Sequence, residues 1–491
     1  MNNSFFWREL TPRQVISVFL ACVFLYAYPL VKADFSFYDD TLRSNEADAN
    51  WIGEGRPLIQ VYYHVLSFSG WVPNLFPLQL IISLLVMAFA LRRLVFWGFD
   101  KPTLSSCLVV LPILYNPFFL QNLSYQYDGS AVALSLVAII YAVTSNGVRK
   151  WRAIIISGMC VAIACALYQI SLNFFIVFCC FEFVKCVSDR KSAAEIFSMM
   201  GIRLGTVAVG SLIYLISVYP FMHSDRQGML SVSKESIVEI FLRSVQVAHQ
   251  VSTPYPLMFK VLMGGLFAVA LLGYLWVGKE ILYCKGTRLS KGVLIGVYCL
   301  ILPVVYFSFS GIALVFEVYN KDYRTLLGLS GAMVLVFFLS HKVLVGFRWW
   351  CSFVLVLPLY YSLSVSYAYG RILAYQKTYE AAVLTSLAYD IQHSELARVK
   401  SIHIINSWMG GASPASEGLY RAMPVLKGVV DFTYVILPEM LPRVGVRNVD
   451  GEADVIIERD LKLGVYKSLL ETQNYKLYVV MDEGYVLMNP R

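Results

Sequence analysis

Residues 15–58 read VISVFLACVFLYAYPLVKADFSFYDDTLRSNEADANWIGEGRPL. The opening of that stretch, residues 15–31, is almost wholly apolar, and as a helix it crosses most of the roughly 30 Å of hydrocarbon in a bilayer. It ends on Lys32 rather than on a small-residue cleavage site, and further apolar runs follow, so it reads as a retained first span. The polar part is less expected. From residue 36 on, five acidic side chains (Asp39, Asp40, Glu46, Asp48 and Glu54) stand there with Arg43, Arg56 and Trp51. A connecting loop needs only to be polar; this one carries groups that can do chemistry.

The rest of the chain repeats the apolar half of the pattern. Of 491 residues, 58% are hydrophobic and 15% charged, with a mean hydropathy of +0.62, outside the range of a soluble enzyme of this length. Apolar runs set against basic loops give a mainly α, polytopic transmembrane chain of about eleven spans. They include residues 75–95, 103–120, 154–167, 202–218, 257–277, 293–315 and 326–339, with the last ending near 367. Arg8 and Arg13 hold the N-terminus in the cytoplasm, and clusters such as Arg92/Arg93, Arg149/Lys150 and Arg190/Lys191 mark the inward turns. The net charge of +8 is spread over these loops, which topology explains without a nucleic-acid partner. The ten cysteines lie in apolar runs or beside basic loops with no CxxC pair, and the six histidines have no metal-ligand spacing. Neither a disulfide framework nor a metal cluster is expected.

Composition changes after residue 369. Residues 1–369 read as the transmembrane domain, with an outward loop at 34–57. Residues 370–491 read as a small α/β domain on the same side as that loop. SIHIIN, FTYVIL, ADVIIE and YKLYVVM suggest strands, and helices are expected near 374–398 and 415–427. Residues 222–255 read as a long polar loop.

The outward loops collect an unusual set of side chains. Asp39 and Asp40 suit a general base, since a like-charged neighbour and a low-dielectric surround raise one pKa; the plainer reading is a helix end in solvent. Arg324, with Lys321 one turn earlier, is well placed to clamp the phosphate of a lipid carrier, or simply snorkels to the interface. Trp51 stacks on a sugar ring or anchors in the interfacial belt. Asp128, in QNLSYQYDGS, and Gln169, in YQISLN, line the site or cap helix ends. There is no GxxxxGK[ST] loop for an ATP-driven pump and no GxSxG motif. No span shows the mid-membrane carboxylate or arginine chain of ion-coupled transport.

YDDxxR followed by WxxxGRPL, together with LSYQYD and LYQISLNFF, resembles the O-antigen glucosyltransferases of the Gtr II family over roughly residues 15–370. That resemblance implies a GT-C architecture in a bacterial inner membrane with the active site facing the periplasm. It implies transfer of glucose from undecaprenyl-phosphate-glucose to a sugar of the lipopolysaccharide O-antigen, altering serotype. Within that reaction Asp39 or Asp40 takes the acceptor proton, and Arg324 with Lys321 holds the donor phosphate. Arg43, Trp51, Arg56, Asp128 and Gln169 bind substrate. Direct displacement inverts the anomeric centre; Asp128 keeps a retaining route open. No cofactor and no obligatory divalent metal are expected. The alternatives are a flippase of lipid-linked sugars, an O-antigen polymerase, and a related transferase using another sugar.

Overall fold

The computed structural model describes residues 8–489 except 146–148, 224–227, 232, 406–410, 431, 433 and 451–452. Among the described residues, nine helices are long and apolar enough to cross a membrane, or ten if one bent pair counts as a span. The eleventh expected span corresponds to Gly129–Thr144, which is apolar but shorter.

The first helix, Pro12–Ala33, starts where Thr11 accepts from Gln14 N and Pro12 supplies a preset φ at the first helical position. It stops where Asp34 turns left-handed (φ 46°), aiming the acidic stretch away from the helix axis. The last long apolar helix, Val356–Gln392, crosses it closely. A Cβ on Gly370 would lie 2.5 Å from Pro29 Cβ, so only glycine permits that approach. Ser366 donates to Tyr26 O (2.7 Å), and Tyr369 OH donates to Ser124 Oγ (2.8 Å).

Among the spans and their loops, three expectations need correction. The span expected at 103–120 is broken: Leu104–Ile113 and Pro117–Ser124 are inclined by 59°. Pro112 and Pro117 lack N–H groups, and Asn116 at the break caps the second piece through Phe118 N (3.0 Å). The break delivers residues 125–128 to the site. The loop expected at 222–255 contains a 19-residue helix, Lys234–Ser252, with exposed Ile237, Phe241 and Val245 along one side. Its Arg243 donates to Leu314 O and Phe316 O (2.9 and 2.6 Å), fastening it to the segment before Arg324. The spans also do hold buried charge. Arg203 and Glu182 form a two-point pair (2.5 and 2.9 Å), and the guanidinium also caps Ala142 O and Val143 O. One closed pair is not the chain of ionisable groups that ion coupling needs.

The last helix does not end near 367. It runs unbroken through the compositional change, and Val383, Leu387 and Ile391 enter the core of the C-terminal sheet with Ile402, Leu477 and Val486. That sheet has the order β2-β1-β5-β4-β3, from β1 (Ser401–Ile405), β2 (Val449–Asp450), β3 (Leu470–Glu471), β4 (Tyr475–Val480) and β5 (Glu483–Met488). β1 is parallel to β2 and β5, whereas β5–β4 and β4–β3 are antiparallel. Two expected strands are absent. ADVIIE instead begins a helix, Val455–Lys462, because Asp454 accepts from Ile456 N (2.7 Å) and starts a helical turn. The described residues of FTYVIL form no strand and run into Pro438.

Candidate active site

The acidic stretch is not a loop throughout: Tyr38–Glu46 is a helix. Successive helical residues are turned about 100° from each other, so Asp39 and Asp40 cannot face the same way. Asp40 faces inward and is fully buried. Its carboxylate accepts from the backbone N–H groups of Phe37, Gln126 and Tyr127, each at 3.1 Å. Burial pushes its pKa up to about 7, against those three donors, which favour the charged form. Asp40 thus ties the start of its helix to the 125–128 turn. Asp39 is half-buried and has no hydrogen bond to any described residue. Its charge acts on both Arg43 and Arg324.

Arg43 lies one turn beyond Asp39, on the same side of the helix. Its Nη1 donates to Asp128 Oδ2 (2.8 Å), and its guanidinium lies over the Trp51 ring, 5.1 Å from the centroid. Trp51 Nε1 donates to the other oxygen, Asp128 Oδ1 (2.8 Å). Burial raises the Asp128 pKa, but the charges of Arg43 and Arg56 and these two hydrogen bonds outweigh it and hold the carboxyl below its ordinary range. Trp51 is fully buried, stacked on Tyr63 (5.3 Å) within a cluster that includes Ile59, Val72 and Tyr127. In this arrangement it is a core residue, neither a sugar platform nor a belt anchor, because Tyr63 and Arg43 occupy its surroundings. Asp128 likewise does not cap the helix that follows it.

Gln169 is not a helix cap either. Its Nε2 donates to Glu54 O (2.9 Å), Gly55 O (3.1 Å) and Tyr214 OH (3.0 Å), which clamps the turn carrying Arg56. Gly55 has φ +76°, and a Cβ there would lie 2.6 Å from Tyr214 OH. Arg56 pairs with Glu54 (3.4 Å), meets Gln169 Oε1 (3.4 Å) and lies over the Tyr168 ring at 5.0 Å.

The fourth loop closes the site. Arg324 pairs with Asp322 (2.9 Å) and lies over Tyr125, 5.2 Å from its centroid; Phe37 stacks on the same ring at 4.8 Å. Gln121 Oε1 accepts from Arg324 N (2.8 Å), and Asn122 Nδ2 donates to Arg324 O (3.1 Å), fixing the backbone. Lys321 is exposed, and its ammonium has no partner among the described residues. Tyr214 and Tyr323 carry no motif that marks them. Tyr214 comes from the end of a span, and Tyr323 matters because it stacks on Phe118 (4.9 Å, planes 5° apart). Phe118 in turn lines an apolar cavity of about 720 Å³, walled also by Pro117, Tyr255, Phe259, Met263 and Phe309.

The fold and site define a polytopic helical membrane protein whose carboxylates and arginines gather where several helices end on one face. The chain belongs to the glucosyl transferase GtrII family, which matches residues 28–341. A relative from Salmonella phage P22, described as an uncharacterized 55.3 kDa protein in the gtrB 5' region, is 29% identical over 231 residues. That match covers 46% of this chain and 46% of the relative, so it spans less than half of the relative's length. No solved structure matches.

Proposed function

We propose that this protein transfers glucose from undecaprenyl-phosphate-glucose to a sugar of the lipopolysaccharide O-antigen at the periplasmic face of a bacterial inner membrane. The family supports glucose as the transferred sugar, and the phage relative supports a bacterial surface glycan as acceptor. One observation carries the mechanism. Asp39, free of hydrogen bonds within the described residues, acts on Arg324, and an apolar cavity approaches that corner through Phe118 and Tyr323. A polyprenyl donor needs these three things together: a base, a phosphate clamp and a greasy slot.

In this reading the acceptor hydroxyl gives its proton to Asp39 as its oxygen bonds to C1 of the glucose. The bond from C1 to the phosphate oxygen breaks, and undecaprenyl phosphate leaves with the electron pair. Arg324 exchanges Asp322 for the phosphate and balances the growing charge, with exposed Lys321 beside it. Asp40 is the weaker candidate for base, since its oxygens already hold three N–H groups. Asp128 has both oxygens engaged, which favours direct displacement with inversion over a glycosyl-enzyme intermediate on that residue. Arg56, partly exposed beside Tyr168, is assigned to the substrate rim.

The test is transfer of labelled glucose from undecaprenyl-phosphate-glucose to O-polysaccharide by the detergent-solubilised protein, with Asp39→Asn and Asp40→Asn alongside. Loss of transfer in well-folded Asp39→Asn supports the assignment. Wild-type rates in that variant would remove Asp39 from the chemistry, and a folded wild type inert with every acceptor would point to another donor sugar.

A further inference from the structure

The Tyr38–Glu46 helix has a second side, which faces the C-terminal domain. Tyr38 and Asn45 are seven residues apart and so share that side. Asn45 Nδ2 donates to Glu439 O (2.6 Å), and its Oδ1 accepts from Arg443 Nε (3.4 Å). Phe432 packs against Phe35 and Phe37 (5.4 and 6.3 Å) just below. Docking alone would bury the aromatic groups along this seam, yet two remain open. Tyr38 is 47% exposed and Tyr434 40% exposed, with ring centroids 6.3 Å apart and planes 47° from parallel. At the same seam, where Glu439 O accepts from Asn45, Glu439 Oε2 is buried and receives no hydrogen bond from the described residues. Burial, and then the charges of Glu439 and Asp39, raise the pKa of Tyr38.

A buried carboxylate oxygen without a donor costs free energy that a ligand hydroxyl would recover. Two tilted, half-open tyrosine rings offer apolar faces that order little on binding. A pyranose presents the complement, C–H faces flanked by hydroxyl donors. We propose that Tyr38, Tyr434 and Glu439 form a saccharide-binding subsite, in which the C-terminal domain holds the acceptor glycan beside Asp39. That the glycan is the acceptor rests on the transferase reading; that the site takes a saccharide does not. Tyr38 precedes Asp39 on the same short helix, so a glycan held there lies against the element that carries the base. Binding energy collected on such remote rings positions the reacting hydroxyl.

The experiment uses the full chain in detergent, with acid-released O-polysaccharides as probes, Salmonella among them. Binding is read by saturation-transfer NMR without donor, and transfer by labelled glucose. Tyr434→Ala and Glu439→Gln should each weaken saccharide binding about 5- to 20-fold. They should raise the acceptor KM to match, with kcat within about threefold of wild type and the donor KM unmoved. Tyr434→Phe, which keeps the ring, should restore binding. Size-exclusion profiles matching wild type exclude misfolding as the cause. Wild-type acceptor KM in both variants, while transfer proceeds, overturns the subsite and leaves the transferase reading intact. Saccharide binding that depends on Tyr434 without any glucose transfer keeps the subsite and overturns the transferase reading. No binding of any probe by folded wild type overturns the subsite.

Discussion

Two arginine–aspartate corners, Arg43–Asp128 and Arg324–Asp322, both feel the charge of Asp39, and they differ in how much of each is left over. At Arg43, both oxygens of Asp128 are engaged, the guanidinium is layered on Trp51, and the side chains are 11% and 14% exposed. At Arg324, one contact to Asp322 holds the pair, and the side chains are 25% and 32% exposed. A closed corner spends its charges on the fold, whereas an open one keeps hydrogen-bonding capacity for a ligand. The same contrast separates Asp40 from Asp39, although the two are adjacent and chemically identical.

The comparison can be broken most sharply at Asp39. Asp39→Asn should lower transfer by about 10²- to 10⁴-fold while leaving the melting temperature within about 2 °C of wild type. A melting temperature that falls with activity would put Asp39 in the closed corner instead. Next comes Arg43→Ala, which strands a buried carboxylate. A loss of about 3–5 kcal/mol is expected, read as poor recovery of monodisperse protein and early thermal unfolding. Arg324→Ala should do the reverse, with near-normal melting and a KM for the lipid-linked donor raised at least tenfold. A smaller effect is expected from Gly55→Ala. Its left-handed backbone and the crowding by Tyr214 OH should cost about 1–3 kcal/mol and displace Arg56.

The mildest test sharpens the assignment of Asp40 by pH. Its folded pKa, about 7, lies above the ordinary carboxyl value, so the folded state binds the proton more tightly than the unfolded chain. The stability it contributes is fully present below the unfolded pKa, near 4, and is lost as pH rises through about 7. The wild-type melting temperature should therefore decline by several degrees between pH 5 and 8. Asp40→Asn should be less stable throughout, because its amide nitrogen faces N–H donors, but without that slope. Equal slopes in both proteins would assign the titration to another group.

Much of this architecture is legible in residue order. Apolar runs punctuated by basic loops mark the spans, since hydrocarbon tolerates only helices whose backbone groups are satisfied internally. The polar loops name nearly every side chain that the site assembles: Asp39, Asp40, Arg43, Trp51, Arg56, Asp128, Gln169 and Arg324. Roles were harder to read than membership. Trp51 reads as a sugar platform or a belt anchor until Tyr63 and Tyr127 are seen around it. ADVIIE has the β-branched content of a strand and becomes a helix because one aspartate caps it. Glu439 and Tyr434 carried no functional signal: Tyr434 lies in a stretch that reads as a strand, and Glu439 lies in a short 3-10 turn, Pro438–Val444.

Hydropathy and charge are properties of the chain itself, so the many apolar spans and the inventory of reactive groups could be set down from residue order alone. Which carboxylate is free and which is spent could not. That depends on partners far away in sequence: Gln126 and Tyr127 for Asp40, Asp128 for Arg43, Tyr125 for Arg324. A hydrogen bond reaches only about 3 Å, and only the packed helices bring such groups that close.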